Sequence, residues 1–201
     1  MKIISIEGGD ALGKNLLIKG LCKYFNYENI TIRHLGKPPK TFSEDISPLE
    51  WQIKCFEKEA FLLENLKQME EDEYQYYENI VIYNRFIWGE YIYGLMFRNQ
   101  DCKEIENFIK NFEERYLISN PQTYLILLTA DPEFFLEQED GKSFSKNIGQ
   151  KTRELQLFDE IFEKSLLDNK LRIKVNDGNS FLPKSYILGT VINFLKQNNE
   201  I

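Results

Sequence analysis

The sequence predicts an α/β fold, a five-stranded parallel sheet in the order 2-3-1-4-5 with helices on both faces. Three observations carry this. Five short apolar segments alternate with stretches of helical spacing along the 201 residues. Several of the segments are near-continuous, as in Ile80-Val81-Ile82 and Tyr124-Leu125-Ile126-Leu127-Leu128, the pattern of strands buried on both faces. A glycine-rich loop joins the first strand to the first helix.

In chain order, the strand at 2–6 carries Ile3-Ile4-Ser5-Ile6, and Gly8-Gly9-Asp10-Ala11-Leu12-Gly13-Lys14-Asn15 follows it. This is the G-x-x-x-x-G-K pattern of a phosphate-binding loop, set between a strand and a helix as the pattern requires. Glycines let the backbone curl so that successive N–H groups face phosphate oxygens. Lys14 adds a point charge, and the helix start adds its dipole. Leu16-Leu17-Ile18 to Leu21 set helical spacing over 14–25. Further strands are predicted at 30–35, 79–83, 123–129 and 171–175. Helical patterns fill 48–73, 86–97, 103–117, 132–138, 148–167 and 181–196. Alternating strands and helices make β-α-β units, and no linker or repeat divides the chain, which reads as one domain over 1–201. Ligands of such sheets sit beyond the carboxyl ends of the strands. The chemistry is therefore sought at Glu7, Arg33-His34, Asn84-Arg85, Ala130-Asp131 and Asn176-Asp177.

Composition narrows the partners. A formal net charge of −7 argues against a nucleic-acid-binding surface, which needs clustered Lys and Arg. No apolar run reaches the length of a membrane span, and the N-terminus enters a strand with no signal-peptide pattern. Cys22, Cys55 and Cys102 lie far apart with no metal spacing, as expected of thiols in a reducing cytoplasm. His34 is the sole histidine and has no nucleophile motif beside it, so a strand-end packing or solvent-facing role is expected.

At the third strand end the chain reads Tyr83-Asn84-Arg85-Phe86 and continues to Gly89-Glu90 and Tyr93-Gly94. Here it resembles the thymidylate kinases and their phage-type deoxynucleoside monophosphate kinase relatives. Glu7-Gly8-Gly9-Asp10-Ala11-Leu12-Gly13-Lys14 looks like that family's Glu-Gly-x-Asp-x-x-Gly-Lys, and the element order fits over nearly the whole chain. The resemblance implies a P-loop nucleoside monophosphate kinase-like fold, with ATP and Mg²⁺ as cofactors and dTMP as acceptor. It admits a homodimer. It makes Gly8, Gly9, Asp10, Ala11, Leu12, Gly13, Lys14, Asn15 and Leu16 the nucleotide-binding segment, with Lys14 and Arg85 as the catalytic cations. Arg85 would bind the acceptor phosphate, Asp10 would accept from the sugar 3′-hydroxyl, and Tyr93 would line the deoxyribose pocket. Phe56 or Phe61 would stack on the base. A lid at about 139–153 offers Lys142, Lys146, Lys151 and Arg153 to the transferring phosphate.

Five positions depart from the family. Its Ser or Thr after the lysine is Asn15, its aspartate before the arginine is Asn84, its serine pair is Gly89-Glu90, and a lid arginine is Gln138. An amide oxygen of Asn15 could still ligate Mg²⁺, though more weakly than a charged group. Phosphoryl transfer to a sugar hydroxyl wants a carboxylate base, whereas a monophosphate is already anionic and needs none. With Arg33-His34-Leu35 and Asn84 at the strand ends, the monophosphate is the expected acceptor. The alternative is a nucleotide-binding protein of the same fold that has lost or reduced its kinase activity.

Overall fold

Alternation along each strand sorts its residues onto two faces, and the computed structural model shows what covers each. It describes residues 1–35, 46–71, 78–139, 141 and 143–198. Strands β1 (Lys2–Gly8), β2 (Ile30–Arg33), β3 (Ile80–Asn84), β4 (Thr123–Thr129) and β5 (Lys170–Lys174) form one parallel sheet, ordered β2-β3-β1-β4-β5 as the sequence predicts. On β1, Ile3 stands opposite Val81 on one side and Thr123 on the other. That register puts Ile3, Val81, Tyr83, Leu125 and Leu127 into one core. It puts Ile4, Ile6, Ile82, Ile126 and Leu128 into a second core on the opposite face. Two buried faces explain the continuous apolar runs.

The second core is closed by α1 (Lys14–Tyr24), α5 (Pro132–Glu137) and α7 (Lys184–Gln197), through Leu17, Leu21, Phe135 and Val191. The first is closed by α2 (Pro48–Glu71), α3 (Trp88–Phe97), α4 (Cys102–Phe112) and α6 (Ile148–Lys164), through Phe56, Ile92, Ile109 and Phe158. Residues 72 and 73 of the expected long helix lie outside the described residues. Among the described residues no helix is long and apolar enough to cross a membrane.

Three helix ends differ from expectation, each for a local reason. α3 starts at Trp88, not at 86, because Arg85 is left-handed (φ 67°) and the Phe86 N–H donates to Glu7 Oε1 (2.7 Å). α4 passes into a π-helical turn, Glu113–Leu117, whose buried Glu113 accepts from Trp88 Nε1 (2.8 Å) and the Leu166 N–H (3.0 Å). That anchors the chain just after α6, which ends at Lys164 and not at 167. α7 starts at Lys184, not at 181, because β6 (Asn176–Asp177) pairs antiparallel with β7 (Ser180–Phe181) and Pro183 then opens the helix.

Candidate active site

The loop after β1 is shaped by what crowds it. A Cβ on Gly8 (φ 129°) would lie 2.4 Å from the Leu128 carbonyl oxygen, and one on Gly9 would lie 2.1 Å from Phe135 Cζ. Only glycine lets β1 run this close to β4 and lets Phe135 seat under the loop. Ala11, exposed at the loop's outer edge, takes the left-handed conformation (φ 62°), a strained geometry for a residue with a side chain. Leu12 is buried in the core and Leu16 is exposed on α1.

Lys14 sits beneath the loop, where its Nζ donates to the Gly8 carbonyl (2.9 Å) and to that of Gly9. Burial, helped by the positive Arg85, brings its ammonium down to about 7; Asp10 and Glu7 work the other way. From just after β3, Arg85 donates to the same Gly8 carbonyl (3.3 Å from both Nε and Nη2) and to Asp10 Oδ1 (2.7 Å). Burial opposes the Arg85 charge, but Tyr93, Asp10, Glu154 and Glu7 push its pKa up. For Asp10, burial is outweighed by Arg85 and Lys14, which lower its pKa. The guanidinium lies 4.9 Å from the centre of the Tyr93 ring. Lys14 on α1, Asp10 in the loop after β1, Arg85 just after β3 and Tyr93 on α3 therefore meet at one point on the carboxyl edge of the sheet.

Asn15 and Asn84, two of the departures, are partners. Asn84 Nδ2 donates to Asn15 Oδ1 at 2.7 Å, and His34 donates from Nδ1 to the Asn84 carbonyl at 3.0 Å. The amide oxygen expected to face a metal is thus occupied. Gly89 explains a further oddity. A Cβ there would stand 3.8 Å from Glu7 Oε2, which is buried and has no hydrogen-bond partner among the described residues. Burial pushes the Glu7 carboxyl up, against its bonds from Ser5 and Phe86. The neighbouring Glu90 is buried beside Arg98 (2.5 Å).

The lid cations are held in place by protein groups. Lys151 is buried, 3.8 Å from the centre of the Phe135 ring, and donates to Glu139 Oε2 (2.8 Å) and Ser143 Oγ (3.0 Å). Although burial opposes its charge, bonds from Lys151 and Ser143 hold the Glu139 carboxyl down to about 2. Lys146 donates to the Gly141 carbonyl (2.8 Å) and Arg153 to Glu160 (3.0 Å) on the outer face of α6. Lys142 lies outside the described residues. Gln138 ends α5.

The two expected base platforms are not brought to the loop. Phe56 is buried among Phe86, Phe108 and Phe112, with no open ring face, and Phe61 projects from α2 at 66% exposure. In place of them, Phe144 packs on Phe97 (5.1 Å) and Tyr93 (5.8 Å). The chief residue that sequence reasoning missed is Glu154, which is buried and accepts from Tyr93 OH (3.0 Å) and Ser145 Oγ (2.5 Å). Its signal was present: Lys151, Glu154, Leu155 and Phe158 share the i, i+3, i+4, i+7 face that enters the core. Two cavities flank the loop. One of about 280 Å³ opens between Lys14, Asn15, His34, Asn84 and Arg85. An apolar one of about 480 Å³ lies between Leu16, Leu17, Phe181 and Leu188.

No protein-family model matches the chain, and no curated protein matches it. Solved structures do. The YorR protein of Bacillus subtilis, in complex with phosphorylated GDP, superposes with a TM-score of 0.61 at 15% identity, covering 100% of this chain and 99% of that one. Thymidylate kinase from Ehrlichia chaffeensis gives 0.56 at 15% identity, covering 96% and 98%. The chain has the nucleotide kinase fold. At this identity the likeness extends to architecture, and the side chains must speak for the chemistry.

Proposed function

We propose that the protein transfers the γ-phosphoryl group of ATP to a deoxynucleoside monophosphate, dTMP foremost, as a cytoplasmic enzyme. One observation carries the reading: Lys14 from α1 and Arg85 from the turn after β3 converge on the Gly8 carbonyl. A donor phosphate on the Lys14 side and an acceptor phosphate on the Arg85 side would meet across it. Phosphoryl transfer depends on positioning and charge neutralisation more than on covalent help. An acceptor phosphate oxygen attacks the γ-phosphorus, its bond to the bridging oxygen breaks, and ADP leaves. Asp10, half-exposed and beside Arg85, would hold the acceptor's 3′-hydroxyl, and Tyr93 its sugar. The donor base would lie in the apolar cavity by Leu16 and Phe181. Lys146 and Arg153, both exposed, would have to leave Glu139 and Glu160 to reach a phosphate. Any Mg²⁺ would arrive on the donor's phosphates, because the Asn15 amide oxygen expected to hold it already accepts from Asn84. A homodimer belongs to the same reading.

The test is a panel of deoxynucleoside monophosphates with ATP and Mg²⁺, followed as ADP release. Turnover dependent on one monophosphate supports the proposal; ADP release that ignores the acceptor contradicts it. The Asn15–Asn84 hydrogen bond favours a second reading, a nucleotide-binding protein with lost or reduced turnover. ATP binding without transfer to any acceptor would select it.

A further inference from the structure

We propose that the phosphate site holds its nucleotide without a protein-held divalent cation, the Asn15–Asn84 amide pair standing in the place of one, so that bare and Mg²⁺-bound ATP are taken alike. The proposal rests on the nucleotide reading and sets what form of nucleotide that site accepts. Its basis is the state of each oxygen near the loop. Asn15 Oδ1 accepts from Asn84 at 2.7 Å, and Asp10 Oδ1 from Arg85 at 2.7 Å. Asp131, at the end of β4, is paired with Lys174 (2.8 Å) and Asn176 (2.9 Å). Both Glu154 oxygens accept from Tyr93 and Ser145. Glu7 is buried, with Oε1 accepting from Ser5 and the Phe86 N–H and Oε2 without a partner among the described residues. Mg²⁺ wants an octahedron of oxygens with carboxylates among them, and each carboxylate here is already engaged or buried.

The amide pair also does something a metal site cannot. With Oδ1 held by Asn84, the Nδ2 of Asn15 is left to donate, on a residue that lines the cavity with Lys14, His34 and Arg85. A phosphate oxygen there meets N–H donors and two cations. Asn84 Oδ1 is itself buried with no partner among the described residues. A carboxylate at that position would leave a buried charge unpaired and would repel a phosphate, unless a cation bridged the two. The neutral amide removes that need.

Equilibrium dialysis of the whole chain against ATP, once with excess Mg²⁺ and once with EDTA, tests the idea. The two dissociation constants are expected to agree within about threefold. Mg²⁺ tightening ATP by about tenfold or more would overturn the proposal while leaving the nucleotide reading intact. No ATP binding in either buffer would overturn both. In Asn84→Asp, ATP with EDTA should bind at least about tenfold more weakly than in the wild type, and Mg²⁺ should restore it. Asn15→Thr, which also breaks the pair, serves as a second variant, with both folds checked by circular dichroism. Variants that keep wild-type affinity in EDTA would show that the pair does not set the metal requirement, against the proposal.

Discussion

Arg85 combines a strained backbone with the charge proposed to bind the acceptor phosphate, and two substitutions separate them. Its φ of 67° is left-handed, which costs a residue with a Cβ about 1–2 kcal/mol. Arg85→Ala removes the side chain and keeps the strain. Arg85→Gly removes both, at about 0.5–1 kcal/mol of extra chain entropy. Both variants lose the same bond to Asp10 and the same contact with Tyr93. Those losses cancel in the comparison. The Gly variant should therefore be the more stable by up to about 1.5 kcal/mol, with about 0.75 kcal/mol, or roughly 2 °C in melting temperature for a chain this long, at mid-range. Urea and thermal unfolding measure the difference. Acceptor phosphate recognition should collapse in both alike, since charge-assisted hydrogen bonds contribute about 1.5–3 kcal/mol each. Two such bonds correspond to roughly a hundredfold to ten-thousandfold in kcat/KM. An Ala variant clearly more stable than the Gly variant would refute the strained backbone. An Ala variant with wild-type kcat/KM would refute the role of the charge.

Other outcomes follow from the same site. Lys14→Ala should abolish ATP binding, measured by dialysis, because it removes the one cation fixed within the loop. In the free protein Lys14 loses its charge as pH rises through about 7, so a polyphosphate bound at about pH 8 should restore it by taking up a proton. Calorimetry in two buffers of different ionisation enthalpy would detect that uptake. The sign for stability is opposite: the unfolded chain holds more protons between about 7 and 10.5, so this group's contribution to stability rises with pH across that window. Asp10→Ala should erode preference for a free 3′-hydroxyl, seen by comparing dTMP with its 3′-deoxy analogue; a wild type that treats both alike removes Asp10 from that role. Glu139→Gln should loosen the lid by weakening its hold on Lys151, read as faster amide exchange over residues 143–147.

The sheet was legible because its signal is local. Ile3 and Ile4, or Leu127 and Leu128, point to opposite faces and are both buried, so the strand pattern alone implied helices on both sides. The loop was legible for a similar reason, since eight successive residues carry it. What stayed hidden depends on contacts between distant segments. The Asn15–Asn84 bond spans 69 residues, so each asparagine read singly looked like a weakened metal ligand and not half of a pair. Phe56 could not be told from a base platform until α2 was docked against α4. The start of α7 was misplaced because Phe181 suits a helix as well as the β6–β7 hairpin that claims it. Lys151 looked like a lid cation offered to the transferring phosphate, although its spacing with Leu155 and Phe158 set it on the core-facing side of α6.

The central claim is that Lys14 and Arg85 mark a donor side and an acceptor side of one phosphoryl-transfer site. The direct measurement is phosphorus NMR of the protein with ATP, Mg²⁺ and dTMP, run beside Lys14→Ala and Arg85→Ala. The account predicts that signals of ADP and dTDP grow together in the wild type and in neither variant. ATP left intact by the wild type, or a dTDP signal that survives loss of either cation, would contradict it.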